Sequence, residues 1–357
     1  MKIYLVGGPV RDELLGLTPS DHDYVVVGAT PELMLNHGFI SVGKSFPVFL
    51  HPDTKEEYAL ARQEKKSGKG HQGFEFHFPP DITLEQDLWR RDFTINAMAK
   101  DLESGEIIDP YGGRQDLKAR VLRHVSDHFS EDPLRIFRGL RFAAALKLKI
   151  DPQTWKLMKS MVQSQEWHHL SWERIIIEME KGFMLKNASA YFSYMHELKI
   201  WSKRKPKWHK WFKPNILHQL WQKEIKKNQS DYKREIIWAS FLSMVDEKEA
   251  LPLPTLVYEL QAFLRDLKRR TFKRPDDYLE MCNQLRWGQR SDFLVAFQFV
   301  LKLIQSPSKL TRLSTRLHKI CSSYMKKTAA FKRTNKMLNK EVADALKLKT
   351  VKSTLAR

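Results

Sequence analysis

Two carboxylates lie two residues apart where a β-rich segment begins. Asp21 and Asp23 come directly before the run at residues 24–27, and the two-residue period of a strand would direct both side chains to one face. Convergent carboxylates repel each other unless a divalent cation or a proton lies between them, and oxygen-only ligands suit Mg²⁺. A pair of this kind at a strand edge is also common in solvated turns, so these residues alone leave both interpretations open.

A glycine turn precedes the carboxylates. Gly7 and Gly8 separate a β-rich run from a short helical segment that contains Arg11. Because glycine has no Cβ, backbone N–H groups there can approach phosphate oxygens at the helix N-terminus, and an arginine adds a charged fork. A tight turn with a surface ion pair explains the same residues equally well. Next to a metal-binding carboxylate pair, a phosphate cradle indicates nucleotidyl or phosphoryl transfer.

Asp132 and Arg135 are three residues apart and would be neighbours on a helix. An aspartate that caps the helix beside a local ion pair is the simpler interpretation. A carboxylate next to a guanidinium can also accept from the amino group of cytosine or adenine while donating to the adjacent ring nitrogen. Guanine and uracil have the opposite polarity, and each polar group left unpaired costs about 1–3 kcal/mol.

The elements that position these residues change in type along the chain. Strands are predicted at residues 2–6, 23–27, 46–50, 57–61 and 74–78, with helices at 9–15, 31–36 and 83–98. Residues 63–73 are rich in lysine and glycine and predict a mobile basic loop, across which residues 74–78 can pair back. After residue 125 only helices are predicted, at 133–145, 152–162, 171–183, 187–198, 235–244 and 254–270. This order predicts an α+β protein.

The net charge of +19 comes entirely from the second part of the chain. Residues 1–150 hold 20 basic and 22 acidic side chains, a net of −2, and the remaining residues hold a net of +21 together with nine of the ten tryptophans. Residues 201–213 interleave tryptophans with lysines. Solvated lysines over an aromatic core would explain a single such run, but an excess along 207 residues favours a polyanionic partner.

Several classes of protein are excluded. The 42% of hydrophobic residues excludes wholesale disorder, and 357 residues predict two or three domains. Cys282 and Cys321 cannot form a disulfide framework, and neither a signal-peptide core nor an apolar run of membrane-spanning length occurs. We therefore expect a cytoplasmic protein without a membrane partner, and a monomer is favoured.

Taken together, the motifs resemble those of the class II tRNA nucleotidyltransferases, the CCA-adding enzymes of the polymerase β superfamily. The matching segments, in the family's order, are LVGGPVRDELLG (residues 5–16), DHDYVVVG (21–28), RRDFTINAM (90–98), DPYGG (109–113) and EDPLR (131–135), followed by Arg138 and Arg141. The resemblance extends to about residue 185. It implies a polymerase β-type nucleotidyltransferase head at residues 1–125, a helical nucleotide-selecting neck at 126–200 and an all-α, basic, tRNA-binding body at 201–357.

The resemblance also implies roles for individual residues. Asp21 and Asp23 would be catalytic and bind Mg²⁺, and Glu57 is either a third catalytic carboxylate or a strand-edge charge. The implied contacts to ATP and CTP are made by Gly8, Arg11, Arg91, Asp92, Asn96, Asp132, Arg135, Arg138 and Arg141. Among these, Arg91, Arg138 and Arg141 would bind phosphates. Asp92 and Asn96, one turn apart on the predicted helix, would contact the sugar, and Asp132 with Arg135 would select the base.

The implied activity is template-independent addition or repair of the 3′-terminal CCA of tRNA from CTP and ATP, with release of pyrophosphate. The basic loop at residues 63–73 matches the location of the loop that the family needs for the final A, which argues against a CC-only enzyme. A bacterial poly(A) polymerase and an A-adding split-activity enzyme share these motifs. A catalytically silent RNA-binding relative is a further alternative, against which the intact Asp21 and Asp23 count.

The second part of the chain departs from the related bacterial enzymes that carry an HD phosphohydrolase domain. No His-Asp dipeptide occurs after residue 150, and Ser243 and Met244 occupy the corresponding place in an apolar segment. A metal-binding phosphohydrolase site needs His and Asp ligands. The sequence therefore predicts no phosphohydrolase activity.

Overall fold

A computed structural model describes residues 1–19, 21–42, 48–66, 74–77, 79–212, 233–245, 251–269 and 323. The chain divides into two compact units, Met1–Ile200 and Trp201–Arg357. Within the described ranges, no helix is both long and apolar enough to cross a membrane.

The first unit is built on a mixed sheet with the strand order β3-β4-β5-β2-β1-β8-β9. The strands are β1 Lys2–Val6, β2 Asp23–Val27, β3 Ile40–Val42, β4 Val48–Leu50, β5 Glu57–Leu60, β6 Gln63–Lys66, β7 Phe74–His77, β8 Ala99–Asp101, β9 Ile107–Ile108, β10 Val121–Leu122 and β11 Lys149–Ile150. Neighbours in the sheet are antiparallel except for β2 and β5, which run parallel. β6 pairs with β7, and β10 pairs with β11, as separate two-stranded sheets.

The helices of the described residues lie in both units, the last three of them in the second unit. They are α1 Gly8–Leu14, α2 Pro31–Asn36, α3 Leu84–Trp89, α4 Gly113–Ala119, α5 Leu134–Leu146, α6 Pro152–Ser164, α7 Trp172–Phe183, α8 Ala188–Glu197, α9 Pro206–Trp211, α10 Lys233–Val245 and α11 Thr255–Arg269. Thr83 and Gln86 form a capping box that starts α3. α5 packs against both α7 and α8.

The period of two along each strand divides the core of the head between the two faces of the sheet. On one face Val6 and Val25 pack with Leu88 of α3, and on the other Val26 and Leu60 pack with Met34 of α2. Asp23 lies two residues before Val25 on β2 and therefore belongs to the face that is covered by α3. The side chain of Asp23 therefore identifies this face of the sheet as the one where the predicted site residues should be sought.

The predicted helix at residues 83–98 is wrong in its second half. The α-helix ends at Trp89, and Phe93 is extended and forms a bridge with His124. Thr94–Asn96 then make a single 3₁₀ turn. Because the bridging residue lies 31 positions away in the sequence, local periodicity contains no sign of this interruption.

The prediction of helices alone after residue 125 is also wrong, because β11 pairs in parallel with β10. Lys147 adopts a left-handed conformation with φ of 54° at the end of α5 and turns the chain into this strand. The expected pairing of residues 74–78 back across the basic segment is confirmed for Phe74–His77, which pair with Gln63–Lys66. The prediction of a loop over all of residues 63–73 is wrong at its start, because Gln63–Lys66 form the strand β6. The tip of that segment, residues 67–73, lies outside the described residues.

In the second unit, tryptophans that alternate with lysines in the sequence form a core. Trp201 and Trp208 are fully buried with ring centroids 4.9 Å apart, and Trp208 also packs at 4.9 Å against Phe241 of α10. These two rings are therefore not available to stack on nucleic-acid bases.

Candidate active site

A cavity of about 810 Å³ lies in the first unit and brings together the residues singled out in the sequence. All twelve of the predicted site residues line it, namely Gly8, Arg11, Asp21, Asp23, Glu57, Arg91, Asp92, Asn96, Asp132, Arg135, Arg138 and Arg141. They come from the glycine turn, the strands β2 and β5, the segment after α3, and the start of α5. Residues separated by more than a hundred positions in the sequence thus share one site.

The cavity is lined by charges of both signs. Its described lining includes eight arginines and six acidic residues, without a lysine. Arginine forks bind phosphate oxygens in a bidentate way that a lysine ammonium cannot reproduce. The lining therefore suits a phosphorylated ligand on one side and a cation on the other.

The acidic side of the cavity is formed by neighbouring strands. Asp23 and Glu57 are register partners in the parallel pair β2–β5, so their side chains leave the sheet on the same face, and Asp21 lies just before β2. Among the residues that the structure describes, no three His, Cys, Asp or Glu side chains form a complete metal-binding group. Mg²⁺ is usually held by one or two carboxylates plus substrate phosphates. The donor set therefore fits an ion that is completed by a nucleotide.

The glycine turn lies against an arginine. Gly7 has φ of 76° and ψ of −124°, a conformation that L side chains rarely adopt, and it precedes α1. A Cβ on Gly7 would lie 3.1 Å from Nη1 of Arg91. The absence of a side chain at this position lets the guanidinium approach the backbone at the start of the helix.

A buried chain of hydrogen bonds crosses the floor of the cavity. Arg11 donates from Nη1 to Oδ1 of Asn96 at 2.7 Å, and Asn96 donates from Nδ2 to Oδ1 of Asp92 at 3.1 Å. The other carboxylate oxygen of Asp92 accepts from Nε and Nη2 of Arg138, both at 2.8 Å. The predicted proximity of Asp92 and Asn96 is therefore present, although a 3₁₀ turn rather than an α-helix produces it.

These hydrogen bonds and the ion pair with Arg138 fix the charge of Asp92. Burial by itself would raise the pKa of Asp92, but the attraction of Arg138 and the hydrogen bond from Asn96 hold that pKa below its usual value. Attraction to Asp92 raises the pKa of Arg138 in turn. Asp92 is therefore ionised at neutral pH and acts as a fixed acceptor in the cavity wall.

Asp132 does not lie on the helix with Arg135, and the predicted i,i+3 helical pair is wrong in its geometry. Asp132 is extended because the residue before a proline, here Pro133, is disfavoured in the α conformation. Its Oδ1 accepts from the backbone N–H of Leu134 at 3.0 Å, and its Oδ2 accepts from Nη2 of Arg174 at 2.9 Å. The contact to Arg174 spans 42 positions, so local spacing contains no signal for it.

Arg135 is held in place by backbone carbonyls. Its Nη1 donates to the carbonyl of His128 and its Nη2 to the carbonyl of Arg90, each at 2.7 Å. Each of these nitrogens carries a second N–H group. Since both Arg135 and Asp132 line the cavity, the acceptor and the donor fork needed for base recognition face the same space.

One aromatic ring organises three of the arginines. The guanidinium carbons of Arg11, Arg138 and Arg141 lie 5.3, 5.4 and 4.4 Å from the ring centroid of Phe142, within the range of cation–π attraction. Arg141 also donates from Nε to the buried Glu178 at 2.6 Å. Sequence reasoning missed Phe142 and Glu178, because neither lies within the motifs.

Sequence reasoning also missed the role of Asp87, which is fully buried beneath the cavity. It accepts hydrogen bonds from the guanidiniums of Arg90 and Arg91 and from the backbone N–H of Arg62. Burial alone would raise its pKa, but these arginines lower the pKa of Asp87 to about 2. Its spacing of three and four residues from Arg90 and Arg91 on the end of α3 was a usable signal.

Two known families account for most of the first unit. Residues 3–123 match the family described as the poly A polymerase head domain, and residues 147–212 match the "probable RNA and SrmB-binding site of polymerase A". Over 201 residues the chain is 58% identical to the Multifunctional CCA protein of Actinobacillus pleuropneumoniae serotype 5b (strain L20). The head and the segment that follows it are therefore similar to the poly A polymerase head domain and to CCA proteins. This likeness implies use of a divalent metal ion.

The matches to curated relatives are partial. The match to the Actinobacillus protein covers 56% of this chain and 49% of the relative. A match to the Multifunctional CCA protein of Haemophilus influenzae (strain PittGG) is 58% identical over 200 residues and covers 55% of this chain and 48% of that one. The chain therefore spans about half the length of the curated relatives it matches.

Solved structures of CCA-adding enzymes have a similar fold. A CCA-adding enzyme in its apo form II aligns with a TM-score of 0.66 at 22% identity, covering 99% of this chain and 88% of that one. The Bacillus stearothermophilus CCA-adding enzyme in complex with CTP aligns with a TM-score of 0.62 at 24% identity, covering 99% and 89%. The predicted α+β nucleotidyltransferase fold is thereby confirmed.

The segment that was compared with an HD domain is helical. α10 spans Lys233–Val245 and contains both Ser243 and Met244. Cys282 and Cys321 lie outside the described residues. The expectation of no phosphohydrolase activity stays a prediction.

Proposed function

We propose that this protein adds or repairs the 3′-terminal CCA of tRNA, using CTP and ATP and releasing pyrophosphate, without a nucleic-acid template. The observation that carries the proposal is that Asp132 with Arg135, Asp21 with Asp23, and several arginines line one cavity. Its volume of about 810 Å³ lies within the range of small-molecule and cofactor sites.

The base would be chosen by Asp132 and Arg135. An acceptor beside a donor fork matches the Watson–Crick edges of cytosine and adenine, which both offer an amino group next to a ring-nitrogen acceptor. Arg174 and the N–H of Leu134 hold the carboxylate of Asp132, and two carbonyls hold Arg135. Such preorganised groups discriminate strongly because a wrong base leaves them unpaired.

The nucleotide would be oriented by groups on the other walls. Arg138 and Arg141, steadied by Asp92 and Glu178, would bind the triphosphate, and Asn96 with Asp92 would contact the sugar. Asp21 and Asp23 would hold Mg²⁺, with Glu57 beside them. When bound there, Mg²⁺ supplies activation of the tRNA 3′-hydroxyl and neutralises charge on the phosphates.

The reaction would be an in-line substitution at the α-phosphorus. The 3′-hydroxyl of tRNA would give up its proton to water, and its oxygen would bond to the α-phosphorus as the bond from phosphorus to the bridging oxygen breaks. Pyrophosphate would leave with that bridging oxygen. The arginine-lined wall would stabilise the charge that develops on the leaving group.

Two further observations support tRNA as the acceptor. One solved structure with the same fold, at a TM-score of 0.59, is a tRNA nucleotidyltransferase complexed with a primer tRNA and an incoming ATP analogue; at 24% identity the match covers 93% of this chain and 96% of that one. The net charge of +21 after residue 150 would attract a phosphate backbone.

The test uses purified protein, Mg²⁺ and three tRNAs that end before CCA, after the first C, and after CC. The proposal expects addition of C, C and A to the first tRNA and then termination. Long A tails would instead indicate a poly(A) polymerase, and addition of A to the CC end alone would indicate a split-activity enzyme. Binding of tRNA without incorporation of any nucleotide would indicate a silent RNA-binding relative.

A further inference from the structure

Asp87 is a fully buried carboxylate that no part of the proposed reaction uses. Its Oδ1 accepts from Nε and Nη2 of Arg90 at 3.1 and 2.6 Å, and its Oδ2 accepts from Nε and Nη2 of Arg91 at 3.3 and 3.1 Å. The backbone N–H of Arg62, between β5 and β6, donates to the same Oδ1 at 3.4 Å. One carboxylate thus joins α3, the sheet and two arginines that line the cavity.

The contact with Asp87 sets the orientation of the Arg91 guanidinium. Asp87 engages Nε and Nη2 of Arg91, and the remaining terminal nitrogen, Nη1, lies 3.1 Å from the position that a Cβ on Gly7 would occupy. The bidentate contact therefore turns the outer edge of the guanidinium toward the glycine turn at the start of α1. Arg90 is fixed by the same carboxylate, and its carbonyl accepts from Arg135.

We propose that Asp87 is a positioning residue that aims Arg91 at the triphosphate of the incoming nucleotide. This inference rests on the proposed function. Asp87 does not line the cavity, so it acts only through the arginines. Its effect is on phosphate affinity, and the choice between bases is left to Asp132 and Arg135.

The chemistry of an amide makes Asp87→Asn a sharp test. A carboxylate accepts from both guanidiniums, whereas an asparagine presents an N–H₂ group to one of them and so loses that contact. Loss of hydrogen bonds to a charged group predicts a rise of about 10- to 100-fold in KM for CTP and for ATP alike. The dissociation constant of pyrophosphate, measured by calorimetry, should rise by a similar factor, and the preference for CTP over UTP should not change.

Asp116→Asn is the matched control. Asp116 is also a buried aspartate, accepting from Oγ1 of Thr94 at 2.7 Å and from Nε of Arg123 at 3.2 Å, but neither Asp116 nor Arg123 lines the cavity. Asp116→Asn should keep the pyrophosphate affinity of the native protein. An equal loss in both variants would show a merely structural role and overturn the proposal, as would native affinity in Asp87→Asn.

A second variant and a second outcome cover the cases in which Asp87→Asn does not fold or the native protein incorporates no nucleotide. If Asp87→Asn does not fold, Asp87→Glu keeps the charge but displaces the carboxylate by one methylene, and native pyrophosphate affinity in that variant overturns the proposal. If the native protein binds pyrophosphate but incorporates no nucleotide, the proposed function fails while the comparison of Asp87 and Asp116 variants still decides the role of Asp87.

Discussion

Replacing Arg138 by methionine tests the buried chain that crosses the floor of the cavity. The change removes both donors to Oδ2 of Asp92 and keeps an unbranched apolar stem. Asp92 would then remain buried at 7% exposure with the N–H of Phe93 and the amide of Asn96 as its hydrogen-bond donors. The carboxylate loses the larger of the two arginine charges that lower its pKa, those of Arg138 and Arg135.

The loss of stability expected in Arg138→Met follows from how deeply Arg138 and Asp92 are buried. Removing one member of a buried ion pair costs about 3–5 kcal/mol, because the other charge is left uncompensated. The Arg138 side chain is 34% exposed, so solvent screens part of its attraction to Asp92. The expected loss is therefore at the lower end, about 3 kcal/mol at neutral pH.

The pH dependence provides an independent check. In the native protein the pKa of Asp92 is lowered, so its stabilising contribution is present above its usual pKa and is lost as pH falls through the lower folded value. In Arg138→Met, burial dominates and raises that pKa, so protonation relieves the penalty. The difference in stability between the two proteins should therefore narrow from about pH 7 to about pH 4.

Amide hydrogen exchange of peptides from α5, corrected for the intrinsic rate at each pH, measures this local stability in the full chain. The double variant Arg138→Met with Asp92→Asn removes the buried charge and should recover most of the lost stability. Unchanged protection in Arg138→Met, or a further loss in the double variant, would refute the assignment of a buried, ionised Asp92.

Two other substitutions test separate parts of the site. Gly113→Ala would place a methyl group against the carbonyl oxygen of Thr94 and the side chain of Met98, so it should destabilise the head by about 1–3 kcal/mol in urea unfolding; native stability would show that this contact relaxes freely. Asp21→Ala should lower kcat for CMP incorporation by about 10²-fold or more while tRNA affinity in a filter-binding assay stays unchanged, and retained turnover would remove Asp21 from the metal site.

Local signals were sufficient for elements whose boundaries depend on neighbouring residues. β2 and α2 have the predicted bounds, because a run of valines favours a strand and Thr30 with Pro31 starts a helix. The period within each strand predicts a face for Asp23 and a face for Glu57 separately, but not that the two faces coincide. The register that makes them partners is a property of the fold.

The parts that sequence reasoning missed depend on distant contacts. The bridge between Phe93 and His124 interrupts the predicted helix, and the ion pair between Asp132 and Arg174 joins segments 42 residues apart. A repeat of two residues, as in a strand, or of 3.6 residues, as in a helix, contains no information about this bridge or this ion pair. The motifs nevertheless named side chains that line one cavity, because they record which side chains converge without specifying the backbone that brings them together.

The most direct test of the account is the nucleotide preference of Arg135→Ala. The assay measures kcat/KM for CTP and for UTP on a tRNA that ends before CCA, in the native protein and in the variant. If protein side chains select the base, the ratio of CTP to UTP should fall by about tenfold or more in the variant, because the donor to the ring nitrogen is gone. An unchanged ratio would contradict selection by Asp132 and Arg135.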